Sequence, residues 1–245
     1  MEKEFLTKAV VLCSQDYKEK DKQLTLFTID SGKITAVLKG VKSPKAKLKF
    51  LTNPFCFAEV QIVQKGNFYT VTNATLIDSF FDLSKQIENY YVAGVMLDIT
   101  QNIVKFNEQN IKIFIELISC LKAICYEKVN AKMALIKFCL TAIENLGYKL
   151  SFNYCSRCDM PYKMEKFLDL SSGEFVCQNC KNIHSISVSS LAFNSLKIIS
   201  QTEISRFNTI KIKDIALREI IDFLIEDIEC RVEHKISSKN MLKNI

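Results

Sequence analysis

The sequence of 245 residues contains no segment that resembles a secretion signal or a membrane span. Its first residues, MEKEFLTKAVVLC, mix charges of both signs with a short apolar run, whereas a secretion signal is basic, then apolar, then rich in small residues. The most apolar later run, IKIFIELISCLKAIC, is interrupted by Lys112, Glu116 and Lys122, and a membrane helix needs about 20 consecutive apolar residues. We therefore expect a cytoplasmic protein that does not attach to membranes.

The motifs that indicate common enzyme classes are also missing. The sequence has no P-loop and no cluster of paired carboxylates that would bind Mg²⁺. Its two histidines are His184 and His234, and neither is followed two residues later by the glutamate that nucleic-acid deaminases require. We expect that the protein is not an enzyme. An enzyme of nucleotide metabolism is the least supported of the functions that the sequence leaves open.

Arginine is scarce, since lysine supplies 29 of the 33 basic residues and arginine only four, at a formal net charge of +6. Lysine meets phosphate as a point charge, whereas the arginine fork reads the edge of guanine. If the protein binds nucleic acid, we expect contacts to the backbone that do not depend on base sequence. Genome composition is the alternative cause of the lysine bias, because isoleucine, asparagine and phenylalanine are also frequent.

Four of the ten cysteines form two C-x-x-C pairs, Cys155 with Cys158 and Cys177 with Cys180, and eighteen residues separate the pairs. This spacing is typical of zinc sites. Two residues between cysteines allow both thiolates to reach one ion, and two such pairs complete a tetrahedron. The pattern predicts one structural Zn²⁺ per chain, held by these four residues.

Other uses of the four cysteines are less consistent with the pattern. A thioredoxin-like redox site needs one C-x-x-C pair and does not explain a second, and four thiolates leave no open position for catalysis. A degenerate, metal-free knuckle stays possible, and His184 could replace a ligand, although a surface histidine is the default. The remaining six cysteines are predicted to fill the core. They are Cys13, Cys56, Cys120, Cys125, Cys139 and Cys230.

Residues 1–80 carry a pattern of short strands. The runs are rich in β-branched and aromatic residues and are separated by turns such as DSGK and QKGN. Five strands in fewer than 80 residues predict a five-stranded OB-fold β-barrel. The runs are FLTKAVVLC, QLTLFTI, KITAVLKG, FCFAEVQIVQ and NFYTVTNATLI.

Residues 81–245 carry helical periodicity. One apolar face lies within residues 111–125, and a second lies within 133–143, with Asn130 as its N-cap and Gly147 as its C-terminal stop. Further helices are predicted across SLKIISQT and from about Asp214 to His234. The sequence thus predicts a multidomain α+β fold, with an all-α second domain that contains a zinc-binding insert at about residues 150–186.

A lysine-rich segment, KGVKSPKAKLK, follows the third predicted strand and contains no acidic residue. In an OB barrel such a loop would border the groove that follows a phosphate backbone. A solvated surface is the alternative, since most runs of charge have no partner. The lysines that would contact such a backbone are Lys39, Lys42, Lys45, Lys47 and Lys49.

Motifs along the whole chain resemble those of the RecO family of bacterial recombination mediators. Tyr17, Glu19 and Asp21 match the family's Y-x-E-x-D loop, and LTLFT at 24–28 matches its second strand. The family's basic turn corresponds to Lys39, Gly40 and Lys42, and LGY at 146–148 precedes the cysteine pairs as it does in the family. The chain departs from the pattern in having no arginine before Arg157, no glycine after His234, and Ser238-Lys239 in place of a Ser-Arg pair.

The resemblance implies an OB barrel, a helical domain and a zinc knuckle, and a function in DNA repair and recombination in the nucleoid. It implies binding of single- and double-stranded DNA and annealing of complementary strands that are coated by the single-stranded-DNA-binding protein. With RecR, such a protein promotes loading of RecA. The resemblance also implies RecF and RecA as indirect partners. The alternative function is a zinc-knuckle OB-fold module that binds RNA or protein in transcription or translation.

The resemblance further implies that the acidic, Phe-ending C-terminal tail of the single-stranded-DNA-binding protein docks on the helical domain. Such a tail needs an apolar slot for its ring and cations for its carboxylates. The cations that flank apolar helix faces are Arg206, Lys211, Lys213, Arg218, Arg231 and Lys235. For each of them alone, a solvated basic surface is the alternative.

Overall fold

Five strands form a closed barrel in the computed structural model of the protein, which describes residues 2–162 and 165–244. Their order around the barrel is β1-β2-β3-β5-β4, with β3 and β5 parallel and all other neighbours antiparallel. This is the OB topology, so the predicted five-stranded barrel is confirmed. The strands are β1 (Glu2–Tyr17), β2 (Asp21–Thr28), β3 (Gly32–Leu38), β4 (Phe57–Lys65) and β5 (Phe68–Asp78).

The length of β1 allows the barrel to close. Its first half pairs with β4 and its second half pairs with β2, and the register shifts between Val11 and Cys13 where the strand changes partners. A bulge of this kind bends a strand and increases its twist. The barrel core is built from alternate, fully buried positions such as Leu24 and Leu26 on β2 and Ile34 on β3.

The barrel belongs to a compact unit that comprises Met1–Asp82 and Thr100–Ile115. Within this unit, the buried Lys33 donates a hydrogen bond to the Gln101 carbonyl, and its Nζ lies 4.4 Å from the centre of the Phe106 ring. The Asn107 N–H donates to the Lys33 carbonyl at 3.0 Å. Burial lowers the pKa of the Lys33 ammonium group. The segment 100–115 is therefore attached to β3 by both the backbone and the side chain of one lysine.

The second unit comprises Leu83–Ile99 and Glu116–Ile245 and is mainly helical. Its helices are α1 (Ile87–Ile103) and α2 (Ile111–Cys125), which both continue into the first unit, α3 (Ala131–Asn145), α4 (Ser190–Gln201) and α5 (Asp214–Val232). It also contains a sheet of three short strands in the order β7-β6-β8, namely β6 (Lys166–Asp169), β7 (Glu174–Cys177) and β8 (Ser185–Val188). Among the described residues, no helix combines the length and apolar character needed to cross a bilayer.

The ends of α3 and α5 follow from local chemistry. Asn130 Oδ1 accepts a hydrogen bond from the Met133 N–H at 3.1 Å, which confirms the predicted N-cap of α3. The chain leaves this helix through Gly147, whose φ of 93° favours glycine. Helix α5 ends at Val232 rather than at the predicted His234, because Glu233 adopts a left-handed conformation with φ of 53°.

The six cysteines predicted to lie in the core differ in their burial. Cys56, Cys120 and Cys139 are buried, as predicted, and Cys13 and Cys125 are half-buried. The prediction is wrong for Cys230, which is exposed. Cys230 lies in the last turn of α5, which ends at Val232, beyond the buried part of the helix that closes at Glu229.

Two glycines with similar backbone conformations provide a test of how the segment 100–115 is held. Gly32 and Gly66 have φ of 64° and 59°, but a Cβ at Gly32 would lie 1.9 Å from the Glu108 carbonyl oxygen, whereas a Cβ at Gly66 meets nothing within 4 Å. We expect Gly66→Ala to lower the free energy of unfolding by roughly 1–2 kcal/mol, through backbone strain alone. Gly32→Ala should lower the free energy of unfolding by clearly more, because its Cβ would also displace the backbone at Glu108. Urea denaturation of both variants measures the difference, and equal losses would contradict this packing.

Candidate nucleic-acid interface and metal site

The lysine loop, residues 39–56 between β3 and β4, separates its apolar and charged side chains. Lys45, Lys47 and Lys49 are exposed, while the residues that alternate with them pack against the barrel core. Those alternating residues are Ala46, Leu48 and Phe50. Burial of the apolar side chains therefore fixes the direction of the lysines, which face solvent.

Consecutive turns stiffen this loop. Backbone N–H groups donate to the carbonyl three residues earlier at Ser43, Ala46, Lys49 and Leu51, at distances of 3.1–3.3 Å. Leu51 is fully buried in the barrel core. Each turn satisfies backbone groups that would otherwise bind water, so the loop is a structured element.

The turn between β1 and β2 anchors the start of the loop. The Gly40 N–H donates to Asp21 Oδ1 at 2.8 Å, and Lys42 Nζ donates to the Lys18 carbonyl at 3.0 Å. Lys42 also lies 3.4 Å from a carboxylate oxygen of Asp16. The pKa of Asp16 is lowered by a hydrogen bond from Lys22 and by the charge of Lys42.

The five predicted DNA-binding lysines therefore divide into two groups. Lys42 is half-buried, and its ammonium group already binds the Lys18 carbonyl and Asp16, which holds the loop. The other four are exposed, and the described residues offer none of them a carboxylate partner. These four, Lys39, Lys45, Lys47 and Lys49, are called the lysine array below.

An aromatic residue that sequence reasoning missed lies on the same barrel. Phe68 begins β5, directly after the turn at Gly66, and its side chain is 79% exposed. Its neighbour Tyr69 pairs with Ala36 of β3, which places Phe68 beside the outer face of β3. The hairpin signal KGN followed by an aromatic residue could have identified it, because OB folds bind single strands with aromatic residues of this kind.

The four paired cysteines meet at one point. Their Sγ atoms all lie within 4.8 Å of one another, and the Sγ atoms of Cys158 and Cys177 are 3.8 Å apart. Thiolates at the corners of a tetrahedron with Zn–S bonds of about 2.3 Å are about 3.8 Å apart. The four cysteines can therefore hold a metal ion. His184 is exposed and is not part of this cluster.

The protonation of the cysteines indicates why a cation would be bound there. Burial acts to raise the pKa of the Cys155 thiol, but hydrogen bonds from the backbone at Cys177, Arg157 and Cys158 outweigh it and lower the pKa to about 6. Hydrogen bonds with the thiols of Cys158 and Cys177 raise the pKa of Cys180 to about 12. Four thiols this close cannot all ionise near neutral pH without a positive charge among them, and a metal ion supplies that charge.

The predicted tail-binding cations differ in their availability. Arg206, Lys211 and Lys213 are exposed, with no carboxylate partner among the described residues. Arg218 is 2.6 Å from Asp214, and Lys235 is 3.7 Å from Glu229 while remaining exposed.

The prediction that Arg231 contributes to the tail site is wrong. Its side chain is only 4% exposed, and it donates to both carboxylate oxygens of the buried Asp227, at 3.0 and 2.6 Å. The guanidinium carbon lies 3.5 Å from the centre of the Tyr148 ring. Arg231 is thus part of the interior of the helical unit and cannot reach an external carboxylate.

Two family models together match almost the whole chain. A family model described as "Recombination protein O N terminal" matches residues 1–80, and one described as "Recombination protein O C terminal" matches residues 84–240. The chain belongs to the RecO family. It is 27% identical to the "DNA repair protein RecO" of Clostridium perfringens (strain 13 / Type A), over 96% of each chain. Proteins of the same name from Clostridium novyi (strain NT) and Caldicellulosiruptor bescii are 25% and 26% identical, over 98% and 91% of this chain and 94% of each relative.

Several residues that carry the family resemblance have structural roles here. Asp21 fixes the start of the lysine loop, and Gly147 ends α3 so that Tyr148 can pack under Arg231. Near the C-terminus, the Ser238 N–H and hydroxyl both donate to Asp98 Oδ2, at 3.0 and 2.8 Å. Lys239, where the family carries arginine, donates to Glu229 at 2.5 Å. These contacts hold the C-terminal segment on the helical unit, although the glycine that follows the histidine in the family pattern is absent here.

The cluster geometry makes a prediction about metal content. We expect the chain to bind one Co²⁺ or Zn²⁺. Loss of a hydrogen bond to a metal ligand lowers metal affinity by about 10- to 100-fold. Cys177→Ser removes a ligand itself and should lower the affinity for the ion by more than that. Cys230→Ser, which removes an exposed cysteine outside the cluster, is the control and should bind as the wild type does. Titration with Co²⁺, followed by its thiolate absorption bands, measures both. Equal binding by the two variants would show that the cluster is not the site.

Proposed function

We propose that the protein binds single- and double-stranded DNA through the barrel, without sequence specificity, and acts as a recombination mediator rather than as an enzyme. The lysine array carries this proposal, because it presents four exposed cations on a stiff loop with no acidic residue among them. Phosphate contacts by lysine supply affinity but no sequence information. The proposed place of action is DNA in the cytoplasm, within the nucleoid.

Annealing of complementary strands is the activity that this surface supports best. Two DNA strands repel each other through their phosphates, and bound lysines neutralise part of that charge while releasing counterions. Base pairing then supplies the specificity. Phe68 would assist with a single strand, since stacking of a base on an exposed ring contributes about 1–3 kcal/mol.

Partners are proposed from membership of the family. RecR would join the protein on DNA coated by the single-stranded-DNA-binding protein and promote loading of RecA, with RecF acting indirectly. The acidic tail of the coating protein would bind the helical unit at Arg206, Lys211 and Lys213. These cations have no carboxylate partner among the described residues, and Ile215, which follows them, is 69% exposed and offers an apolar contact for the terminal ring.

The metal is proposed to be a structural Zn²⁺. Four cysteine sulfurs with tetrahedral spacing suit zinc, and with four protein ligands no position is open for a water or a substrate. Held by Cys155, Cys158, Cys177 and Cys180, the ion would connect two loops of the insert at about residues 150–186. Residues 163 and 164 of this insert lie outside the described residues.

The lysine array provides the test of DNA binding. We expect replacement of Lys39, Lys45, Lys47 and Lys49 by Ala to weaken binding to all DNA sequences about equally, and to reduce the slope of log affinity against log salt by about 0.7 for each lost contact on single strands. The control replaces Lys3, Lys105, Lys122 and Lys149, which are also exposed, and removes the same charge elsewhere. Fluorescence anisotropy at several salt concentrations measures both variants.

Two outcomes would contradict the proposal. Equal affinities and salt slopes for the two variants would leave the loop a solvated surface. Preferential binding of RNA in a competition between the two polymers would favour the alternative of a module that acts on RNA.

A further inference from the structure

A hydrogen-bonded network beside the cysteine cluster joins the two C-x-x-C pairs without using any sulfur atom. Arg157 lies between Cys155 and Cys158 in the first pair. Its guanidinium donates through Nη1 to the carbonyl oxygen of Cys180, the last cysteine of the second pair, at 3.2 Å. One side chain thus spans both halves of the site.

The other arm of Arg157 binds a buried carboxylate. Nη2 donates to Asp169 Oδ2, and Asp169, the last residue of β6, is 0% exposed. The same oxygen accepts from Asn182 Nδ2 at 3.1 Å. Asp169 Oδ1 accepts from the N–H and the hydroxyl of Ser171, at 3.0 and 2.6 Å. Every oxygen of the buried carboxylate is therefore satisfied, which a buried charge requires.

The network connects three parts of the chain. Arg157 belongs to the first cysteine pair, Asn182 follows the second, and Asp169 and Ser171 belong to the end of β6 and the turn beyond it. Burial alone would raise the pKa of Asp169, but the hydrogen bonds from Ser171 and Asn182 and the charge of Arg157 lower it. The carboxylate therefore stays ionised at neutral pH and keeps its partners.

We propose that Arg157 is a positioning residue that holds the two cysteine pairs in register independently of the metal, and so slows the loss of the ion. The Arg157–Asp169 pair is neutral as a whole, and none of the hydrogen bonds that the two side chains make ends on a sulfur atom. Departure of the metal would remove the bonds at sulfur but leave this connection intact. The insert then differs from zinc fingers, which unfold when the metal is removed.

The inference depends on metal binding by the cysteine cluster, so the experiment has one part with metal and one without. With Co²⁺ bound, Arg157→Ala should release the ion to an excess of chelator about 10- to 100-fold faster than the wild type, if the loss of affinity that follows removal of a ligand's partner appears in the release rate. Arg157→Lys keeps the charge but cannot bind both partners at once, and should be intermediate. Arg218→Ala, which removes an exposed arginine paired with Asp214, is the control and should behave as the wild type does.

The absorption bands of bound Co²⁺ separate positioning from loss of a ligand. All arginine variants should show the spectrum of four thiolates, because the ligands are unchanged, while differing in the rate of release. Equal release rates for Arg157→Ala and the wild type would overturn the inference.

The part without metal uses limited proteolysis of the full chain after chelation. We expect the insert of the metal-free wild type to resist cleavage and the insert of metal-free Arg157→Ala to be cut rapidly. Equally rapid cleavage of both would overturn the inference. A wild type that binds no Co²⁺ would instead refute the proposed metal site, and the proteolysis result would then still decide whether Arg157 holds the insert together.

Discussion

Burial of the apolar side chains of the lysine loop is the constraint on which the proposed function depends. Ala46, Leu48 and Phe50 pack against the barrel core, and Leu51 is fully buried within it. Because these residues alternate with lysines, the lysines must face solvent, where the described residues offer the array no carboxylate. Hydrophobic burial thus supplies the free energy that holds like charges close together, and binding of a polyanion would relieve their repulsion.

The anchoring of the loop separates a lysine that holds the fold together from the lysines that stay available to a ligand. Lys42 looks like the other lysines in the sequence, yet its ammonium group is bound by the Lys18 carbonyl and Asp16. The prediction that Arg231 contacts a partner is wrong for a similar reason, because Asp227 and Tyr148 enclose its guanidinium group. A charge pattern reports where cations occur along the chain, but three-dimensional contacts decide which of them remain available to a ligand.

Features with strong local signals could be predicted from the sequence, and features that depend on long-range packing could not. The five strands, the N-cap at Asn130 and the convergence of four cysteines follow from periodicity, capping chemistry and spacing. The three-stranded sheet of the second unit was missed because strands of four residues carry little periodicity. The attachment of residues 100–115 to the barrel through Lys33, and the exposure of Phe68, depend on contacts between distant parts of the chain.

Annealing of complementary DNA strands, each coated with the single-stranded-DNA-binding protein, tests the central claim most directly. Duplex formation would be followed by the quenching of a dye on one strand by a quencher on the other, with no protein, with the wild type, and with the variant that lacks the lysine array. The account predicts that the wild type accelerates annealing and that the variant does so much less, most clearly as salt rises. Annealing at the uncatalysed rate with the wild type, or equally fast annealing with the variant, would contradict it.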